Sequence, residues 1–245
     1  MNIKNIENHI NDILYGKRDL PQFNQPEHAG VCSAGPLLIG ALIVCNDSRE
    51  SISASGNASD SKGASPSNWQ IDEAQEKAVQ QWAESIGVWI PEAEQWLMEN
   101  NARKIAQGAE AVVYYKTGDL AVFKARTSIY ATLERALEAI ALHNALFPET
   151  IMRVVGFTRD TDGLFRVLLT QPYIECLRLA TKQEIDNMVA AKGFTDNGDG
   201  NGVNFISNRL HLEDMHPANV FVEPLTGQPI CIDCIVKFRR ALSLN

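Results

Sequence analysis

A chain of 245 residues with 45% apolar content is long enough to bury one sizeable core, and its length fits one or two domains. Its 22 basic against 30 acidic residues leave a net charge of −8, which argues against a nucleic-acid phosphate backbone as partner. Five cysteines, at positions 32, 45, 176, 231 and 234, do not read as a disulfide framework in so long a chain, so a reducing, cytoplasmic setting is expected.

The first apolar run, residues 36 to 44, is only nine residues long, well short of the ~20 that cross a bilayer. It lies too far from the start for a signal peptide, and Val44 is too large for the residue preceding a lipidated cysteine at 45. A strand or short helix that docks on the rest of the chain or on a partner is expected, with no membrane association. Residues 46 to 68 are mostly Ser, Asn, Asp, Ala and Gly, which cannot repay the entropy of ordering, and read as a flexible linker. This division leaves 1–45 as an N-terminal segment and 69–245 as the main domain.

Helical signals resume at Asp72, with Ala74, Val79, Trp82 and Ile86 on one face and Gly87 as a cap. Pro91 suits the first turn of a second helix running to about Glu99. Trp82, Trp89 and Trp96 recur every seven residues, but the breaks at Gly87 and Pro91 forbid one coiled-coil stripe. The tryptophans are expected to pack this helical pair, residues 70–100, onto the strands that follow.

Gln107-Gly108-Ala109-Glu110 is a small-residue loop that runs into a β-branched and aromatic strand, residues 111 to 115. Thr117-Gly118-Asp119 makes the turn into a second strand, residues 120 to 125, which carries Lys124. A lysine between Phe123 and Ala125 in a strand is better explained by a ligand or an ion-pair partner than by solvent. Such a loop lets backbone N–H groups approach phosphates, and the lysine adds a fixed positive charge. Residues 129 to 146 have helical periodicity, with Leu133, Leu137, Ile140 and Ala141 in an apolar stripe. An apolar strand, residues 166 to 170, leads into Gln171-Pro172-Tyr173-Ile174, and a helix is expected from about Lys182 to Ala191.

The richest segment comes last. Asp214 is followed five residues on by Asn219, then by a short apolar strand, and then by Ile232-Asp233 closing another. One Asp to orient a hydroxyl nucleophile, and an Asn with a second Asp to hold magnesium against nucleotide phosphates, is what phosphoryl transfer requires. A polar hairpin turn would explain this segment alone, and the upstream loop with Lys124 tips the reading towards chemistry. Two other patterns are decoys. Cys231-Ile232-Asp233-Cys234 lacks a second pair or nearby histidines for zinc, and Asn197 to Gly202 begins a calcium loop whose bidentate position is Asn208.

These motifs, with Val155-Gly156-Phe157-Thr158 and Gly193-Phe194 between them, resemble the protein kinase superfamily from about residue 70 to the C-terminus. The likeness is closest to the kinase-like domains of polyvalent proteins of bacterial mobile elements. The Gly-Ala-Glu loop is similar to that of atypical kinases attached to tRNA-modifying machinery. Asp-Met-His-Pro-Ala-Asn is similar to the catalytic loop of aminoglycoside-type phosphotransferases.

The resemblance implies an α+β, protein-kinase-like two-lobed fold, with a small lobe over 101–171 and an abbreviated C-terminal lobe over 172–245. It implies ATP and Mg2+ as cofactors, and a hydroxyl on a protein or small molecule as acceptor. Asp214 would be the catalytic base, Lys124 the phosphate-contacting lysine, and Asn219 and Asp233 the metal ligands. Gly108, Ala109, Glu110, Gln171 and Tyr173 would bind the nucleotide. Kinases also pair the lysine with a helix glutamate. Glu134 and Glu138 lie one turn apart, and spacing does not choose between them; Glu138 is preferred because it sits deeper in the helix.

Departures accompany the matches. Leu212-Glu213 replaces His-Arg before the catalytic Asp, Cys234-Ile235 follows the metal-binding Asp, and the loop lacks the later glycines. Only twelve residues follow Asp233, too few for an activation segment, so regulation by activation-loop phosphorylation is not expected. The alternative to an enzyme is an inactive, nucleotide-binding pseudokinase that serves as an interaction module.

Overall fold

The computed structural model describes residues 35–56, 66–127 and 131–239. Most of the N-terminal segment, Cys32 included, and residues 57–65 of the expected linker lie outside them. The fold is a mixed α+β arrangement: three helices, a five-stranded antiparallel sheet, a fourth helix, and a set of short antiparallel strands with a fifth helix.

Helix α1 (Pro36–Gly56) corrects the linker expectation for residues 46–56. Its first half supplies Leu38, Ala41, Leu42 and Ile43 to the main core. The polar second half stays helical because its side chains find partners within reach of one turn. Asn46 is buried and meets Arg49 and Glu50, while the Ser51 and Ser53 hydroxyls donate to the carbonyls of Asp47 and Arg49. Docking by a helix at residues 36 to 44 is as expected. Among the described residues no helix is long and apolar enough to cross a membrane.

Helix α2 (Asn68–Ser85) starts earlier than expected, at a capping box of Ser67 and Gln70. Its fully buried residues are Gln75, Val79 and Ala83; of the expected face Val79 is buried and Trp82 packs against the core, while Ala74 and Ile86 are only partly covered. Gln75 is drawn inside because its amide reaches the Cys45 carbonyl and Glu134. Helix α3 (Ala93–Glu99) follows. The three tryptophans pack as the sequence suggests, Trp82 on Phe157, Trp89 on Phe165 and Trp96 on Phe123, with ring centres about 6 Å apart.

The large sheet contains β1 (Arg103–Gln107), β2 (Ala111–Tyr115), β3 (Ala121–Arg126), β4 (Arg153–Arg159) and β5 (Phe165–Pro172), in the order β1-β2-β3-β5-β4. Helix α4 (Leu133–Leu146) is capped by Thr132 and is almost wholly buried between α1, α2 and the strands. The expected start at 129 falls outside the described residues. Beyond β5 come β6 (Arg178–Leu179), α5 (Lys182–Ala191), β7 (Thr195–Asp196), β8 (Phe205–Ile206), β9 (Leu210–Glu213), β10 (Val220–Val222), β11 (Pro229–Cys231) and β12 (Ile235–Phe238). They form two small sheets, β11-β10-β6 and β12-β9-β8-β7. One continuous core joins α1, α2 and α4 to residues of β4, β5 and β8 to β12.

Close backbone approach requires glycine at two points. A Cβ at Gly40 would stand 2.5 Å from the Trp82 ring, and one at Gly156 would stand 2.7 Å from the Val88 carbonyl oxygen. Gly156 lies at the β4 bulge, where the chain from 88 to 90 hydrogen-bonds to Phe157 on both sides. Backbone cannot swing aside as a flexible side chain can. Gly156→Ala is therefore expected to cost about 2 kcal/mol, read from the midpoint of a urea titration.

Candidate active site

A cleft of about 500 Å³ opens between the β1–β3 edge of the large sheet and the turns that carry Asp214, Asn219 and Asp233. Gly108, Ala109, Glu110, Lys124, Gln171, Tyr173, Asp214, Asn219 and Asp233 all line it, so nine of the ten site residues singled out in the sequence converge. The tenth, Glu138, does not.

Lys124 comes to the cleft because β3 pairs on both sides, with Val113 of β2 and Leu169 of β5, and alternation points it away from the outer face. It is 5% exposed, and its Nζ donates to the Ile232 carbonyl at 3.1 Å and to Asp233 Oδ2 at 3.3 Å. Lys124 and Asp233 are separated by 109 residues in sequence. Two residues further along β3, on the same face, Arg126 reaches Asp233 Oδ1 at 3.5 Å and Glu110 Oε2 at 2.7 Å. Burial alone would push the Asp233 carboxyl up, but Lys124 and Arg126 beside it prevail and hold it at about 2. It is ionised throughout the physiological range.

The expected pairing of Lys124 with Glu138 is corrected. Glu138 is buried and takes Arg135, one turn back on α4, at 2.5 Å. Glu134, the other candidate, meets Arg49 of α1 at 3.2 Å and Gln75 of α2. Both acids turn towards cations and amides on helical elements, and the counter-charge of Lys124 comes from Asp233.

Asp233 rests on a buried polar knot. The Thr150 hydroxyl donates to the Cys231 carbonyl at 2.7 Å, and the Gln171 amide donates to the carbonyls of Thr150 and Ile232 at 2.9 and 3.0 Å. His143 is fully buried, with Nε2 3.2 Å from the Thr150 carbonyl and Nδ1 3.3 Å from Cys234 Sγ. Burial holds its pKa down at about 4, with Lys124 and Arg126 lowering it further against the pull of Asp233. Gln171 thus spends its side chain on the cleft floor. Tyr173 stacks on Tyr115 at 4.6 Å, and its amide donates to the Leu120 carbonyl.

Asp214 sits at φ +65°, the left-handed region that Asp tolerates better than most residues. Its amide donates to Asn204 Oδ1 at 3.2 Å, and Asn204 in turn donates to Asp199 in the β7–β8 hairpin. The polar hairpin expected at 197 to 202 therefore props up Asp214. Asn219 Nδ2 donates to the Asp214 carboxylate at 2.9 Å, and His216 Nε2 lies 3.4 Å from its other oxygen. Nearly half of the Asp214 side chain remains exposed at the cleft mouth.

The donor chemistry fits magnesium. Asp233 and Asn219 offer hard oxygen donors of the kind magnesium takes, and Asn219 is turned so that its nitrogen faces Asp214. Among the described residues no group of three or more His, Cys, Asp or Glu could hold a metal alone. A magnesium site that borrows phosphate oxygens needs only one or two carboxylates. Sequence reading gave no site role to Arg126, Asn204 or His143. Arg126 offered a signal, a second cation at strand spacing from Lys124.

The family model described as "Serine/Threonine/Tyrosine Kinase found in polyvalent proteins" matches residues 72–240, and the chain belongs to that family. No curated protein matches it.

Proposed function

We propose that this kinase transfers the γ-phosphoryl group of ATP, with magnesium, to a hydroxyl of a protein or small molecule. The reading takes the large sheet with α4 as one lobe and the short-strand region from 172 onward as a second, abbreviated lobe, with the nucleotide between them. The observation that carries it is the meeting of Lys124 and Asp233 at 3.3 Å in a cleft that Asp214 and Asn219 also line.

In this reading Asp214 orients the acceptor hydroxyl and takes its proton as the acceptor oxygen bonds to the γ-phosphorus and the bond to the β–γ bridging oxygen breaks, leaving ADP. Its exposed edge faces the cleft mouth, and its other oxygen is fixed by Asn219. Asp233 and the Asn219 amide oxygen would hold magnesium, which when bound neutralises charge on the β- and γ-phosphate oxygens. Lys124 adds a positive charge at the same place, and the Gly108-Ala109 loop offers backbone N–H groups without side chains in the way. Pro172 and Tyr173 line the end of the cleft proposed for the adenine.

Thermal unfolding with ATP tests this. Magnesium and ATP together, at about a hundred times Kd, are expected to raise Tm by ~5 to 10 °C, and ATP without a divalent cation by much less. Asp233→Asn should abolish the magnesium-dependent part. An unchanged Tm with magnesium and ATP would overturn nucleotide binding. Binding with no transfer to water or any acceptor would overturn the transferase assignment.

A further inference from the structure

Resting on the phosphotransferase reading, we propose that Arg126 is the positioning residue of this site. It fixes the metal-binding carboxylate of Asp233 with one edge of its guanidinium and latches the small-residue loop through Glu110 with the other.

Asp233 is held by two cations of different character. Arg126 is 5% exposed, packs against Met152 Sδ at 3.8 Å, and divides its planar fork between Glu110 at 2.7 Å and Asp233 Oδ1 at 3.5 Å. Its charge is permanent, and its rigid fork suits two acceptors at once. The Cys234 amide also donates to Oδ1, at 3.0 Å. Lys124 takes Oδ2, on a flexible stem that can exchange the carboxylate for a phosphate without leaving the cleft. Oδ1 is therefore the anchored oxygen and Oδ2 the one released for a metal.

Two consequences separate this role from mere packing. A fixed positive charge behind Asp233 repels a bare divalent cation, so the site favours the metal–nucleotide complex, whose phosphates offset that charge. The same guanidinium ties loop position to carboxylate position, because Glu110 is held in the loop that lines the cleft. It does so from β3 itself, where the resemblance expected a helix glutamate to act.

The test uses the full chain, with Mn2+ binding followed by calorimetry in the absence and presence of ADP, and steady-state kinetics with ATP. Arg126→Gln is expected to tighten nucleotide-free Mn2+ binding by about tenfold while kcat falls by about 100-fold. Glu110→Gln, which removes the charge but keeps a side chain that can still accept from Arg126, is expected to raise KM for ATP by about tenfold, with a smaller effect on kcat. The two changes combined should cost less in KM than the product of their separate effects. Weaker Mn2+ binding in Arg126→Gln, or fully multiplicative KM effects, would overturn the proposal while leaving the phosphotransferase reading intact. A wild-type chain that binds neither ADP nor ATP would overturn both. Should Arg126→Gln fail to fold, the KM-against-kcat split in Glu110→Gln decides.

Discussion

Asp214→Asn is expected to lower kcat for phosphoryl transfer by about 10³-fold while the affinity for magnesium and nucleotide stays close to wild type. Asparagine tolerates the left-handed backbone at φ +65° nearly as well as aspartate, so the turn survives. Its side-chain oxygen still accepts from Asn219 Nδ2, so Asn219 keeps its orientation. The acceptor proton then has no carboxylate to receive it. Single-turnover transfer from labelled ATP measures the loss, and calorimetry with a nonhydrolysable analogue checks that binding persists. Transfer within tenfold of wild type would remove Asp214 from the role of base.

The second expectation concerns acid. His143 has an ordinary pKa of 6.5 when unfolded and about 4 when buried beside Thr150 and Cys234. Between those values the unfolded chain binds the proton and the folded chain does not, so stability falls as pH drops from about 6.5 to 4. At 1.36 kcal/mol per unit the contribution is ~3 kcal/mol, fully present above pH 6.5. Asp233 acts in the same direction, between its ordinary 3.8 and about 2. Asp72, Glu76 and Glu138, raised chiefly by burial, act oppositely and blunt the total. The clean measurement is a difference. His143→Gln is expected to be less stable at pH 7 but to have a shallower pH dependence from 6.5 to 4 than wild type in urea titrations. Parallel curves would show that His143 carries no part of it.

What could be read in the sequence was local or chemically compulsory. Two strands around Thr117-Gly118-Asp119 and the helix from Lys182 to Ala191 follow from turn residues and periodicity. The meeting of Lys124, Asp214, Asn219 and Asp233 followed from what phosphate chemistry demands at those spacings. The Thr150 knot was hidden because its hydrogen bonds cross long stretches of chain, and the Asn204 prop because it is made by residue types equally common in any loop. Glu138 misled for a related reason, since helical spacing reveals a face and not what lies opposite it. The polar half of α1 looked too poor in apolar side chains to order, yet the first half brings it onto α2 and α4, where Arg49 finds Glu134.

That last helix separates two kinds of boundary. The stretch shared with relatives begins at residue 72, inside α2, yet Leu38, Ala41 and Leu42 from α1 lie in the same apolar interior as Leu137 and Ile140 of α4. The matched stretch and the apolar interior are thus not coextensive. A fragment trimmed to the matched boundaries would strip the α1 cover from α4 and bare an oily flank to water.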